Sequence, residues 1–342
     1  MLFIIIIFNI VIIKHDKIKK IWLVIFSIVL IITAAFRGEG VDQDYQMYEF
    51  IYNHVDNIKL VTTEPTYMFF CQLFRNFFQF DSVSIFILYA ILGVSIKMYS
   101  INKISNFVFL SLLIYFSNLY ILHDMTQIRA SIGSSILLLM IKPITEGNKK
   151  QFFVLFFIAF LFHYSSMISL VLLLLNPNKI NKKVWFLVIP AAYFLYFINF
   201  SGVNFYKFIP IEAVSSKVNT YVLTQDANEE EKVNVFSVLL IIKFCIISLF
   251  LYKIDDLFEK NKYAILLLKL YILSFFVLIF FADVITLSLR FSEFLNVVEI
   301  VTLPLIVFCF PNKIRLLPKA FVIVYCLFLF YLHIRAETLL IF

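Results

Sequence analysis

Residues 151–175 read QFFVLFFIAFLFHYSSMISLVLLLL, and the fold of the chain turns on how that run is divided. It carries no Asp, Glu, Lys or Arg, and an α-helix crosses the hydrocarbon of a bilayer with about 20 apolar residues. His163 and Ser165-Ser166 stand at its middle, however, so the run is either one span or two short helices meeting at the histidine. Charge separates the two readings, because lysine and arginine gather in cytoplasmic loops. With a hairpin at His163, the inner clusters are 14–20, 97–103, 142–150, 176–183, 253–262 and 311–319, and they hold 18 of the 29 basic residues. The outer side then carries Arg37, Lys59, Arg129, Lys207, Lys217, Lys232, Arg290 and Arg335. A single crossing would place three of the basic loops outside. The hairpin is preferred, and because its arms are too short to span alone, its ends are expected to dip into a cavity.

Outward from this run the same pattern recurs. Apolar and aromatic residues make up 62% of the 342 and charged residues 15%, against roughly 45–50% and about 25% in soluble domains. Further crossings are expected near 1–13, 21–36, 83–100, 105–122, 127–141, 184–200, 234–252, 263–281, 286–309 and 320–333. The stretch 66–80 is too short and too polar, with Gln72, Arg75, Asn76 and Gln79, and reads as interfacial or re-entrant. Lys14 to Phe36 has the outline of a signal peptide ending in Thr33-Ala34-Ala35, but the apolar segment Leu2 to Ile13 before it favours a span. The expected fold is an all-α polytopic membrane protein of about 11–13 transmembrane helices, with short or re-entrant helices on the outer side, of which a GT-C-like arrangement is one form. Residues 1–342 then form a single integral membrane domain with outer loops 37–65 and 201–233.

Several classes of function are excluded early. With only 6 glycines there is neither a dinucleotide fingerprint nor a P-loop, so no nucleotide cofactor and no nucleic-acid partner is expected. Cys71, Cys245, Cys309 and Cys326 lie far apart in apolar stretches and give no disulfide or zinc spacing. The excess of +7 is a matter of topology.

Polar residues without a solvation role fall on the outer side. The first outer loop runs Arg37-Gly38-Glu39-Gly40-Val41-Asp42-Gln43-Asp44-Tyr45 and ends at Glu64-Pro65. Asp42 and Asp44 have the spacing of a metal-chelating Asp-x-Asp pair, or are simply a solvated acidic loop; no metal is assigned. His123-Asp124-Met125-Thr126-Gln127-Ile128-Arg129 leads into a helix that Asp124 or Thr126 could cap. Arg129 at that helix N-terminus calls for an anionic partner, unless it snorkels to head groups. His163 is costly inside a membrane unless it works or is hydrogen-bonded. Arg290 stands about 10 Å deep if helical, with Glu293 on the same face as a neutralising partner. The loop 201–233, with Asp226 and Glu229-Glu230-Glu231, is assigned no chemistry. Arg37, Arg129 and Arg290 with Asp42, Asp44, Glu64 and His163 suit a large anionic substrate reached from outside. Arginines fork onto diphosphate oxygens and stabilise a leaving charge, and a carboxylate or histidine takes a proton from an attacking hydroxyl.

The order Arg37-Gly-x-Gly-x-Asp42-x-Asp44-Tyr45, Glu64-Pro65, Gln127-x-Arg129-Ala130 and His163-Tyr-Ser165 resembles the EpsG-like group of Wzy-type polysaccharide polymerases, over about residues 25 to 175. The resemblance implies glycosyl transfer between two lipid-linked oligosaccharides at the outer face of the bacterial cytoplasmic membrane. The growing chain on undecaprenyl diphosphate is the donor, and a hydroxyl of a new lipid-linked repeat is the acceptor. No cofactor is needed, and a chain-length regulator is a conceivable partner. On this reading Arg129 and Arg290 hold the diphosphate with Arg37 and Gln127 beside them. One of Asp42, Asp44, Glu64 or His163 activates the acceptor. A polysaccharide flippase or transporter is the first rival, although no internal repeat is visible. A membrane O-acyltransferase acting on sugars is the second; it would use His163 but not three outer arginines.

Overall fold

The computed structural model describes residues 2–10, 16–57, 63–198, 200 and 233–335. Among them there are helices and no strand. The first are α1 (Leu2–Ile10), α2 (Asp16–Ala35), the short helices α3 (Tyr45–Asn53) and α4 (Pro65–Gln72), and α5 (Val83–Ile104). Next come α6 (Val108–Ile114), α7 (Ile128–Thr145), α8 (Lys149–Phe162) and α9 (Lys182–Phe197). The last are α10 (Val238–Lys260), α11 (Ala264–Phe280), α12 (Ile285–Asn296), α13 (Glu299–Thr302) and α14 (Leu316–Arg335). Among the described residues six helical stretches are long and apolar enough to cross a membrane: Asp16–Ala35, Val83–Ile104, Val108–Thr126, Ile128–Thr145, Ile285–Cys309 and Leu316–Arg335. Tyr164–Leu174 and Ala264–Phe280 are shorter apolar helices. The chain is an all-α polytopic membrane protein.

Burial sorts these helices into a centre and a rim. Val108–Thr126 is 83% buried and Ile285–Cys309 78%, whereas α2 and α14 are each 28% buried. On α2 the residues Leu23, Phe26, Leu30 and Ala34 face the core while Ile21, Val24, Ile28 and Ile32 lie exposed along the opposite side. Both stripes repeat at three or four residues, the helical period. A helix apolar all round with one face uncovered has lipid for its second neighbour.

The run 151–175 is a hairpin. Helix α8 stops at Phe162, His163 adopts an extended backbone, and residues Tyr164–Leu174 continue as a 3-10 helix. Contacts at the far ends show that the chain doubles back. Glu146, just before α8, pairs with Lys262 ahead of α11, and Lys269 of α11 donates to the carbonyls of Asn176 and Lys179 just after the 3-10 helix. Lys182 pairs with Asp255 near the end of α10. Both arms therefore begin and end at the lysine-rich face. The second arm gains reach from its winding: 11 residues at about 2.0 Å each cover about 22 Å, nearly the same as the 14 residues of α8 at about 1.5 Å each.

Two further sequence expectations are adjusted. The helix from Val108 does not end at 122 but passes into π winding over Tyr115–Thr126. Neither Asp124 nor Thr126 caps α7; Gln127 takes that position, without a side-chain capping bond. The stretch 66–80 is α4 followed by a π turn, Leu73–Phe77. It lies along α3, with Arg75 paired to Asp56 and the Tyr52 hydroxyl on the Phe80 carbonyl. The loop 201–233 other than Val233, with its acidic run, falls outside the described residues, as does Lys59.

Candidate functional site

The site is built at the end of the bundle opposite the lysines, beginning with the turn between α2 and α3. Gly40 has φ +83, a left-handed value that glycine adopts without the Cβ penalty. The turn it allows brings Asp42 back to Arg37. The Arg37 Nε donates to Asp42 Oδ2 at 2.5 Å and Nη1 donates to the Ala34 carbonyl at 2.8 Å, with the guanidinium 4.3 Å from the Phe86 ring centre. Both side chains of the pair are buried. The other Asp42 oxygen accepts from the Asp44 N–H at 3.0 Å, an Asx turn that sets Asp44 at the start of α3. The two aspartates thus divide: Asp42 shapes the turn, while Asp44 faces the site.

Glu64 is the hub of the second part. Pro65 occupies the first turn of α4, where its missing N–H costs nothing, so Glu64 stands at the helix start. Its carboxylate makes no capping bond and instead reaches across to two other segments. One oxygen accepts from Arg129 and from the Thr63 hydroxyl, and the other meets His163 Nδ1 at 3.0 Å. Arg129 also donates to Thr63, and its guanidinium lies 5.4 Å from the Tyr48 ring and 5.7 Å from the Tyr67 ring. Burial by itself would raise the Glu64 affinity for protons, but the His163 hydrogen bond and the Arg129 charge outweigh it and hold the carboxyl well below its ordinary range. Thr66 anchors the hairpin tip by donating to the Leu161 carbonyl at 2.8 Å. The tip is tight because α7 has glycine at 133: a Cβ there would meet Ser166 Oγ at 2.8 Å, Phe294 at 3.1 Å and the His163 Cβ at 3.2 Å. Phe294 belongs to α12, so that one close approach brings Arg290's helix to the same place.

Asp44 joins the two parts. Burial and the neighbouring Asp42 raise its proton affinity, while the charges of Arg129, Arg290 and Arg37 all act to lower it. The α2 end, the α7 start and α12 thus each bring a guanidinium whose charge is felt at Asp44, but burial and Asp42 outweigh them and its proton affinity is raised. His163 likewise feels both Arg129 and Arg290. Gln127 lies near Glu293, which follows Arg290 by three residues on α12. Arg37, Asp42, Asp44, Glu64, Arg129 and His163 thus lie at this end of the bundle, and the approach of Arg290's helix to it could not be read from spacing.

Other charged groups escaped the sequence reading. Lys97 was assigned to an inner basic cluster, yet it is 0% exposed and donates to Asp124 Oδ2 at 3.0 Å and to the Ser131 hydroxyl at 2.7 Å. Tyr115 and Ser131 complete the shell of Asp124. Lys97 is thus a core residue and does not belong among the topological lysines. The sign available in the sequence was Asp124 itself, the one acid between Asn106 and Thr145. A second network links Lys243 to Ser274 and Asn296, and Asn296 to Glu299, which Tyr271 and Tyr325 also hold. Among the described residues no three His, Cys, Asp or Glu side chains cluster as metal ligands would.

The model of the family described as EpsG matches residues 2–341, nearly the whole chain. Neither a curated protein nor a solved structure matches it.

Proposed function

Because the chain belongs to the EpsG family, whose members are Wzy-type polysaccharide polymerases, we propose that it polymerises lipid-linked oligosaccharides at the outer face of a bacterial cytoplasmic membrane. The donor is a glycan on undecaprenyl diphosphate. In the reaction the acceptor hydroxyl oxygen bonds to the donor's anomeric carbon, the bond from that carbon to the diphosphate oxygen breaks, and the hydroxyl proton passes to a base.

The observation that carries this reading is the joining of Glu64, Arg129 and His163 in one cluster, with the helix of Arg290 packed against the same hairpin tip at Gly133. Permanently charged arginines set at the mouth of such a cluster suit a ligand that brings its own negative charge, as a diphosphate does. The arginines are not equivalent. Arg37 is bound up with Asp42 and shapes the loop. Arg129 is aligned by Glu64 and two tyrosine rings, and its Nε is buried with no hydrogen-bond partner, a donor ready for an anionic oxygen. Arg290 is exposed on α12, whose Phe294 packs at the hairpin tip. Together Arg129 and Arg290 would steady the lipid diphosphate as it leaves. Of the four proton acceptors suggested by the sequence, Asp44 is the least tied, since Asp42 and Glu64 are each held by an arginine and His163 is held by Glu64.

The test is complementation of a polymerase-null strain, with surface polysaccharide displayed on a gel. The protein is expected to restore a ladder of repeat lengths. Arg129→Ala and Arg290→Ala are each expected to reduce ladder material by about 100-fold or more, the loss typical of an oxyanion donor, at unchanged protein level. Single-repeat material without a ladder from the wild type would refute polymerisation, and normal ladders from both variants would refute the diphosphate assignment.

A further inference from the structure

A cavity of about 430 Å³ lies between the π segment after α6, α10, α11, α12 and α14, in the half of the bundle that carries the arginines. Its volume falls within the range of small-ligand sites. Asn118, Lys243, Ser292, Glu293, Asn296 and His333 supply polar groups to a wall otherwise made largely of leucines. Such a mixture in the interior of a membrane protein is expensive unless something uses it.

The polar groups differ in how far they are satisfied. Lys243 is held by Ser274 at 2.8 Å and Asn296 at 2.6 Å, Glu299 by Asn296, Tyr271 and Tyr325, and Asn118 by His333 at 2.9 Å. Glu293 is the exception: its Oε2 is buried and has no hydrogen-bond partner. The buried carboxylates Asp42, Glu64, Asp124 and Glu299 each have a cation or donors. Leaving a buried oxygen unpaired costs about 1–3 kcal/mol, so an oxygen kept in that condition beside an empty volume points to a ligand donor.

Glu293 also stands at a seam. One side lines the cavity, and one helical turn before it on the same helix stands Arg290, while the next residue, Phe294, packs against Gly133 beside His163. We propose that this cavity is the acceptor site, receiving the terminal sugar of a lipid-linked repeat, and that Glu293 is the base that takes the proton of its attacking hydroxyl. The assignment rests on the polymerase reading and deepens it. The ligand is neutral and polyhydroxylated, not a second diphosphate. The cavity's one lysine is already enclosed by amide and hydroxyl oxygens, and a free carboxylate repels an anion but accepts from a hydroxyl. In the step, Glu293 Oε2 accepts the proton as the hydroxyl oxygen bonds to the donor carbon. The electron pair of the breaking bond leaves with the lipid diphosphate, between Arg129 and Arg290.

The proposal is tested with purified protein in nanodiscs. Radiolabelled lipid-linked repeats from a polymerase-null strain are the donor, and the same repeat freed of its lipid by mild acid is a water-soluble acceptor. Transfer releases label into water, and titrating the acceptor separates KM from kcat. Glu293→Gln keeps the shape; its kcat is expected to fall by about 100-fold or more with acceptor KM within about threefold. Ser292→Trp fills the cavity and Leu289→Trp, at a more exposed lining position, narrows its mouth. Each is expected to raise acceptor KM by about tenfold or more, one methylene-scale clash being worth at least that. Leu289→Trp serves if Ser292→Trp does not accumulate. If the wild type transfers and all accumulated variants share its kcat and KM, the acceptor site is refuted while polymerisation stands. If the wild type does not transfer at all, the polymerase reading fails and takes this site with it.

Discussion

Glu64 has two oxygens and gives them to different parts of the chain, one to Arg129 and one to His163. Its side chain is 8% exposed, so the pairing is little screened. The consequence for pH has a definite sign. The folded carboxyl binds protons more weakly than its ordinary value of 4.5, so the contribution to stability is full above that value and is lost as pH falls below it toward the folded value. Thermal unfolding in detergent, followed from about pH 7 to about pH 3, is expected to show the wild type losing its advantage over Glu64→Gln only in the acid part of that range. An advantage constant throughout would mean the ion pair contributes nothing. At this scale the sequence was informative about residue types. Arg37, Arg129, Arg290 and His163 stand out because a permanent or costly polar group at an outer helix end needs a reason. Glu293 stood out only as a neutraliser for Arg290, three residues away, because helical spacing shows which residues share a face and not what opposes it.

Between elements, the arrangement depends on a few polar clasps set among apolar surfaces that discriminate weakly in lipid. The clasp of Lys97 on α5 with Asp124 and Ser131 joins α5, the π segment and α7 with both charged side chains 0% exposed. Gly93 lies against it, since a Cβ there would collide with the Ser131 hydroxyl and the Asp124 carboxyl. Lys97→Met leaves the Asp124 charge buried alone, and is expected to cost about 3–5 kcal/mol. Lys97→Met with Asp124→Leu is expected to recover most of that, since replacing both members of a buried pair is nearly neutral. Unfolding of the purified protein in denaturant checks both, and equal destabilisation by the single and double variants would show that the pair itself is not what matters. The element boundaries were legible wherever hydropathy changed. The π winding of Tyr115–Thr126 and the 3-10 winding of Tyr164–Leu174 were not, because hydropathy at this length is the same whichever way the backbone turns.

For the whole molecule the doubling back at His163 sets which end each later helix presents. Labelling with a membrane-impermeant thiol reagent, in a cysteine-free background, is expected to reach Gly38→Cys from outside but not Asn178→Cys. Equal labelling of both would unmake the hairpin and place Arg290 on the wrong side. The uncovered faces of α2 and α14 lie at the rim, while Val108–Thr126 and Ile285–Cys309 run through the centre, so the site's floor is shared by segments far apart in the chain.

The sequence by itself determined the all-α membrane class and the hairpin at His163, while of the about 11–13 crossings it suggested, six helices among the described residues are long and apolar enough to span. These follow from hydropathy and charge, which are properties of consecutive residues acting on a bilayer and need no partner to be expressed. Only the tertiary structure decided who faces whom. Glu64 meets Arg129 across 65 residues and His163 across 99, and Lys97 meets Asp124 across 27. Such pairings are selected by close packing at Gly93 and Gly133 and by the need of each buried charge for a counterpart, conditions that exist only when the helices are already side by side.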